Sequence, residues 1–258
     1  MVRQLEGKIA IVVGATRGLG RGVAEAFLDA GASVVAVARD PKPLNELAAG
    51  NLELRLVAAD GADPVVAGQL LGQHDPDVVA LIAGAAPLLR PIQHHTWETF
   101  SSNWQTDVRM TFNWIREALL IPLRPGSRII VMSSGAAVLG SPLSGGYAGA
   151  KATQRFIADY AAQESERNKL GIRITAVLPK LTPATELGRP AVAAYAARVG
   201  VSKDEYLRRL GPPVTPQIAG AAFVLLAAGG EKDGAAAYML TADGLQPLHD
   251  QSLSERSR

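Results

Sequence analysis

Ile9-Ala10-Ile11-Val12-Val13-Gly14-Ala15-Thr16-Arg17-Gly18-Leu19-Gly20 is the stretch that decides how the rest of the chain is read. Five apolar residues run without a break between Gly7 and Gly14, as a strand buried on both faces requires. A helix is expected next, over residues 18–30. Val23 with Phe27 and Ala24 with Leu28 form its apolar face, and Gly31 suits its stop. Between strand and helix the glycines permit a tight turn and a close backbone approach to a ligand. The N–H groups and positive dipole end of the helix then face a phosphate. The spacing is G-x-x-x-G-x-G, which is neither the Walker A pattern nor G-x-G-x-x-G. An ordinary strand–helix turn needs one glycine. Three at this spacing, after the first strand, favour dinucleotide binding.

Outward from this unit, strand-like and helix-like segments alternate. Further strands are expected over 33–38, 54–58, 78–83, 128–133 and 172–178, with a possible seventh over 237–241. A long helical stretch covers 97–120, and another helix carries Tyr147 and Lys151. The pattern predicts an α/β fold, a doubly wound parallel sheet of about seven strands with helices on both faces. Crossovers should be right-handed and the ligand site should lie at the carboxyl ends of the strands. No composition break marks a second domain, so residues 1–258 are expected to form one. Residues 180–216, rich in Pro and Gly, are expected to cover the site, and 250–258 to form a polar tail.

Composition narrows the function. Apolar residues make up 48% and charged residues 19% of 258, which suits a sizeable core and argues against disorder. The 26 Lys and Arg nearly balance 24 Asp and Glu, and they are scattered, which disfavours nucleic acid as a partner. There is no cysteine, so thiolate chemistry and disulfides are excluded. Apolar runs such as Ile9–Val13 and 218–228 are too short to span a membrane. The expectation is a soluble, cytoplasmic protein.

Tyr147 and Lys151 lie four residues apart, on one face of a helix. A free phenol ionises near pH ~10, so it needs help to move protons at neutral pH. A nearby ammonium supplies it by stabilising the phenolate. Ser134, at a strand end, can hold a substrate oxygen beside the phenol. Arg39 follows the second strand, where the adenosine ribose of a dinucleotide would lie, and arginine suits a 2′-phosphate. Arg17 adds a second cation, so NADP(H) is favoured over NAD(H). Asp40 reads as a turn residue before Pro41.

With the glycine turn, Ser134, Tyr147 and Lys151 in this order, the chain resembles the short-chain dehydrogenases/reductases over about residues 5–244. The resemblance implies a Rossmann fold, a nicotinamide cofactor and reversible hydride transfer between a carbonyl and an alcohol. It implies that Tyr147 is the general acid/base, with Lys151 lowering its pKa and holding the nicotinamide ribose. Ser134, rather than its neighbour Ser133, orients the substrate oxygen. Gly14, Thr16, Arg17, Gly18, Leu19, Gly20, Arg39, Asp60, Gly84, Pro179 and Thr182 fall at cofactor-binding positions, together with Tyr147 and Lys151. Three positions depart from the family pattern. Leu81-Ile82-Ala83-Gly84 stands where Asn-Asn-Ala-Gly is usual, Asp107 stands at a catalytic Asn, and Lys180 stands at a glycine. An Asp at 107 could raise the pKa of Lys151, or pair with it and weaken its effect on Tyr147.

Other patterns read as structure. His94-His95 has no third ligand at metal spacing, so no metal is expected. No G-x-S-x-G elbow supports a hydrolase. Trp97, Trp104 and Trp114, with Phe100 and Phe112, suit core or subunit packing, and the resemblance implies a homodimer or homotetramer. The expected function is hydride transfer between NADP(H) and a small carbonyl or secondary alcohol. Ala85, Leu88, Val138 and Leu143 suggest a hydrophobic substrate. The alternatives are a nucleotide-binding sensor or scaffold with little turnover, and an epimerase or dehydratase that recycles its cofactor.

Overall fold

The computed structural model describes residues 3–49, 51–183, 185–230 and 234–248. The polar tail expected at 250–258 lies outside them. In chain order the elements are β1 (Ile9–Val13), α1 (Gly18–Asp29), β2 (Ser33–Ala38), α2 (Pro41–Ala48), β3 (Leu54–Ala58), α3 (Pro64–His74) and β4 (Val78–Leu81). Then come α4 (Trp97–Asn103), a π-helical turn at Trp104–Val108, α5 (Arg109–Leu120), β5 (Arg128–Met132), α6 (Ala136–Leu139) and α7 (Gly145–Arg167). The chain continues with β6 (Arg173–Pro179), α8 (Gly188–Arg198), α9 (Lys203–Leu210), α10 (Pro216–Ala228), β7 (Ala237–Thr241) and β8 (Gly244–Pro247).

The strands form one sheet in the order β3-β2-β1-β4-β5-β6-β7-β8. The order turns back on itself beside β1, between β2 and β4, where an open α/β sheet leaves its ligand crevice. The roughly seven parallel strands expected are present, and among the described residues an eighth, antiparallel to β7, extends the edge. Its short GLQP sequence has no apolar run, but Asp243-Gly244, where the hairpin turn enters β8, is a hairpin signal.

Alternation along β1 sorts the core into two layers, as a period of two demands. Ala10 and Val12 join Phe27 of α1 and Phe223 of α10 on one face. Ile11 and Val13 join Leu70 of α3, Trp114 of α5 and Ile157 of α7 on the other. Helices thus cover both faces, and every parallel strand points its carboxyl end the same way. The expected single helix over 97–120 is instead α4 and α5 joined by the π turn. Its aromatic residues divide: Trp114 is buried, whereas Trp97, Trp104 and Phe112 are exposed.

Candidate active site

The glycine turn leaves β1 at its carboxyl end and enters α1. Gly14 has φ +96°, and a Cβ there would lie 2.6 Å from Ala83 N. A Cβ on Gly20 would lie 2.0 Å from Gly14 O. The turn is therefore folded against itself and against the end of β4 so tightly that side chains are excluded. No side chain caps the N-terminus of α1, so its first N–H groups remain for a ligand. This bare cradle fits a pyrophosphate. Arg17 is exposed and ion-paired to Glu186 at 2.6 Å, which ties the turn to the segment before α8. Arg39 is exposed just past β2. Asp40 caps α2, its Oδ1 accepting from Lys42 N at 3.1 Å. Asp60 accepts from Ala62 N at 3.0 Å. Trp114 Nε1 and Asn113 Nδ2 hold that loop, donating to Gly61 O and Ala62 O at 2.8 Å each.

The second half of the site is built on α7. Tyr147 is half-buried, while Lys151, one turn on, is only 4% exposed. Its ammonium lies over the Tyr147 ring, 5.5 Å from the centroid. It donates to Gln154 Oε1 at 2.8 Å and to Met132 O, the end of β5, at 3.3 Å. Asp107 Oδ2 stands 3.2 Å from it, and Asp107 is 0% exposed. No well-aligned hydrogen bond reaches Oδ2, so charge dominates this contact. Oδ1 of the same carboxylate accepts from Ala85 N and Thr106 Oγ1, each at 2.8 Å.

Two opposing effects act on Lys151. Burial pushes its ammonium down, but the Asp107 carboxylate, with a smaller push from Tyr147, holds it above the ordinary lysine value. Gly84 makes room for the carboxylate, since a Cβ there would lie 2.9 Å from Asp107 Oδ2. Ser134 is half-buried at the end of β5, its Oγ accepting from Ala136 N at 3.2 Å. Ser133 instead turns inward and donates to Lys151 O at 2.7 Å. Pro179 ends β6, and Thr182 is buried beyond it, donating to Lys180 O at 2.9 Å.

Asp107, Tyr147 and Lys151 are thus brought together, and Ser134 lies just past β5, bonded to Ala136 N. Two supporting residues escaped the sequence reading. Gln154, 0% exposed, uses its amide in both directions, accepting from Lys151 and donating to Asp107 O at 3.0 Å and Thr111 Oγ1 at 2.6 Å. Its signal was a polar residue seven positions after Tyr147, on the same helical face. Asn103 Nδ2 donates to Ala85 O at 2.7 Å, so it and Asp107, one turn apart, clamp both polar groups of Ala85. Of the histidine pair, His95 is held by Thr99 Oγ1 at 3.1 Å and Arg90 O at 3.2 Å.

Residues 8–196 match the family model described as short chain dehydrogenase. An uncharacterized oxidoreductase of Mycobacterium tuberculosis is 31% identical over 241 residues, 88% of each chain. A hydroxynaphthalene reductase-like protein of Metarhizium majus is 31% identical over 189 residues, 69% of each chain. L-xylulose reductase of Bos taurus is 29% identical over 191 residues, 73% of this chain and 77% of its own. The chain, with its bare glycine cradle and parallel sheet, is an oxidoreductase that belongs to the short-chain dehydrogenase family, whose cofactor is a nicotinamide nucleotide.

Proposed function

We propose that the protein is an NADP(H)-dependent reductase of carbonyl compounds, able to run in reverse on secondary alcohols. The observation that carries this reading is the Lys151 ammonium fixed over the Tyr147 ring. The bound nicotinamide supplies or accepts the hydride. Tyr147 delivers a proton to the substrate oxygen as the carbonyl is reduced, and removes it in the reverse direction. Ser134 orients that oxygen. Lys151 sets its positive charge over the phenol ring, and Gln154, Met132 O and Asp107 keep the ammonium in place. Gly14, Gly18 and Gly20 admit the pyrophosphate, with Thr16 and Leu19 in the same turn, while Asp60, Gly84, Pro179 and Thr182 flank the rest of the cofactor. Preference for the 2′-phosphate is supported by Arg39 and by Asp40, whose carboxylate caps α2; Arg17 adds its charge only by exchanging Glu186 for the phosphate.

A homodimer or homotetramer belongs to the same reading, supported by the exposed Trp97, Phe112 and Phe156. So does a single domain with residues 180–216 over the site. No helix among the described residues is long and apolar enough to cross a membrane, and the lack of cysteine suits a reducing cytoplasm.

Tyr147→Phe should lower turnover on a carbonyl panel by roughly a hundredfold or more. NADPH binding, followed by its fluorescence, should survive nearly intact, and NADPH should outperform NADH in the unsubstituted protein. A variant that keeps most of its turnover rules the mechanism out. The Asp107 charge beside Lys151 favours a second reading, a nucleotide sensor, since the neutralised pair exerts a weaker field on Tyr147. Tight NADPH binding with no oxidation across the panel identifies that case.

A further inference from the structure

A cavity of about 360 Å³ opens beside the N-terminal turn of α7, two residues before Tyr147. Four segments meet there: residues 90–95 beyond β4, Phe100 of α4, residues 141–145 leading into α7, and the last turn of α8. Its walls include the apolar Ile92, Phe100 and Pro142, and its charged lining residues are Arg90 and Arg198, with no carboxylate among the lining residues. The rim is built rather than loose. Arg90 N donates to Leu143 O at 2.8 Å, and Arg90 O takes a hydrogen bond from His95 Nε2 at 3.2 Å. Among the described residues the Arg90 guanidinium bonds only a neutral carbonyl, His94 O, at 3.3 Å. On the other side, Tyr195 lies one turn before Arg198 on α8. Its hydroxyl hydrogen-bonds Ser141 Oγ, and its ring stacks on Tyr206. That fixes the end of α8 against the cavity. Neither Arg90 nor Arg198 makes an ion pair among the described residues, whereas Arg208 and Arg209 of neighbouring α9 are both taken by Glu205.

Two uncompensated guanidiniums over apolar walls recognise one chemistry: a carboxylate or phosphate on an apolar body. The geometry points to an anion-reading subsite, in which the substrate is an oxo compound carrying such a group at the end away from the reacting carbon. This rests on the reductase reading and changes the substrate class expected from Ala85, Leu88, Val138 and Leu143. Leu88 and Val138 are exposed, and none of the four lines this cavity.

The full chain with NADPH is to be assayed on matched pairs: oxo acids of varied chain length against their methyl esters, and dihydroxyacetone phosphate against dihydroxyacetone. kcat/KM should favour the anionic member by about tenfold, through KM, and the preference should shrink as salt is raised. Whichever pair shows the larger preference identifies the anion. In the doubly substituted Arg90→Ala/Arg198→Ala protein the anionic-to-neutral ratio should fall by about tenfold. Equal kcat/KM within every pair, or a ratio unchanged in the variant, overturns the subsite and leaves the reductase reading standing. If no member turns over, the reductase reading fails instead. Titration calorimetry with the same oxo acids and dihydroxyacetone phosphate then decides the subsite. Weaker binding by the double variant supports it, and equal or absent binding overturns it.

Discussion

Asp107 places a negative charge where Lys151 would otherwise be an ammonium sealed from water. Both side chains are buried, and they stand 3.2 Å apart. Removing one partner of such a pair costs about 3–5 kcal/mol, because the other charge is left uncompensated. Lys151 is held above its ordinary value in the folded protein. Its stabilising contribution is therefore fully present below the unfolded lysine value of about 10.4, and is lost as pH rises through the folded value. Asp107→Asn reverses the sign at this site. With the counter-charge gone, burial dominates and the folded value drops below the unfolded one. The unfolded chain then binds more protons between the two, so stability at this site rises with pH. Urea melts should show the variant's deficit largest near pH 7 and smaller near pH 10. A deficit that is constant or grows would mean that Asp107 does not compensate Lys151. The partnership was legible from spacing and family pattern. Gln154 was not, because its role depends on the π turn presenting the Asp107 carbonyl, which no local periodicity announces.

At the scale of elements, α4 and α7 touch more closely than ordinary helix pairs. A Cβ on Gly146 would lie 1.9 Å from Phe100 O, so the backbone of one helix rests directly on the other. Gly146→Ala must push α4 outward. The loss of stability should be about 1–3 kcal/mol, read from urea midpoints. Because Phe100 lines the anion cavity and Tyr147 is the next residue, kcat and KM should both worsen. A variant as stable and active as the parent would show the contact to be dispensable. Strands were the most legible elements: Ile9–Val13, Ser33–Ala38, Leu54–Ala58 and Ala237–Thr241 have the expected bounds. A doubly buried strand such as Ile9–Val13 is an uninterrupted apolar run between breakers, whereas the edge strand Leu54–Ala58 carries the exposed Arg55. The break at Trp104–Val108 was illegible, because the aromatic and apolar spacing of residues 97–120 continues through it as through one helix.

In the whole molecule the site belongs to no single segment. The glycine cradle comes from the β1–α1 turn, the carboxylate from the π turn, a carbonyl from β5, and the phenol and ammonium from α7. Sequence order alone cannot say how closely such parts approach. Only the shared direction of the parallel strands brings their carboxyl ends to one edge, and β4 and β5, adjacent in the sheet, set Ala85 N against the Asp107 carboxylate and Met132 O against the amine that faces it. That amine has a consequence for chemical labelling. Acylating reagents need a free, reachable lone pair, and Lys151 is raised in pKa and 4% exposed. Lys169, Lys180 and Lys203 are open to solvent. In a timed acetylation read by peptide mass spectrometry, those three should react first, and Lys151 should lag by orders of magnitude. Labelling of Lys151 at the rate of an exposed lysine would contradict its packing. Its slow acylation would otherwise count how often the contacts between α7, the π turn and β5 open, which makes one buried lysine a clock for local unfolding of the site.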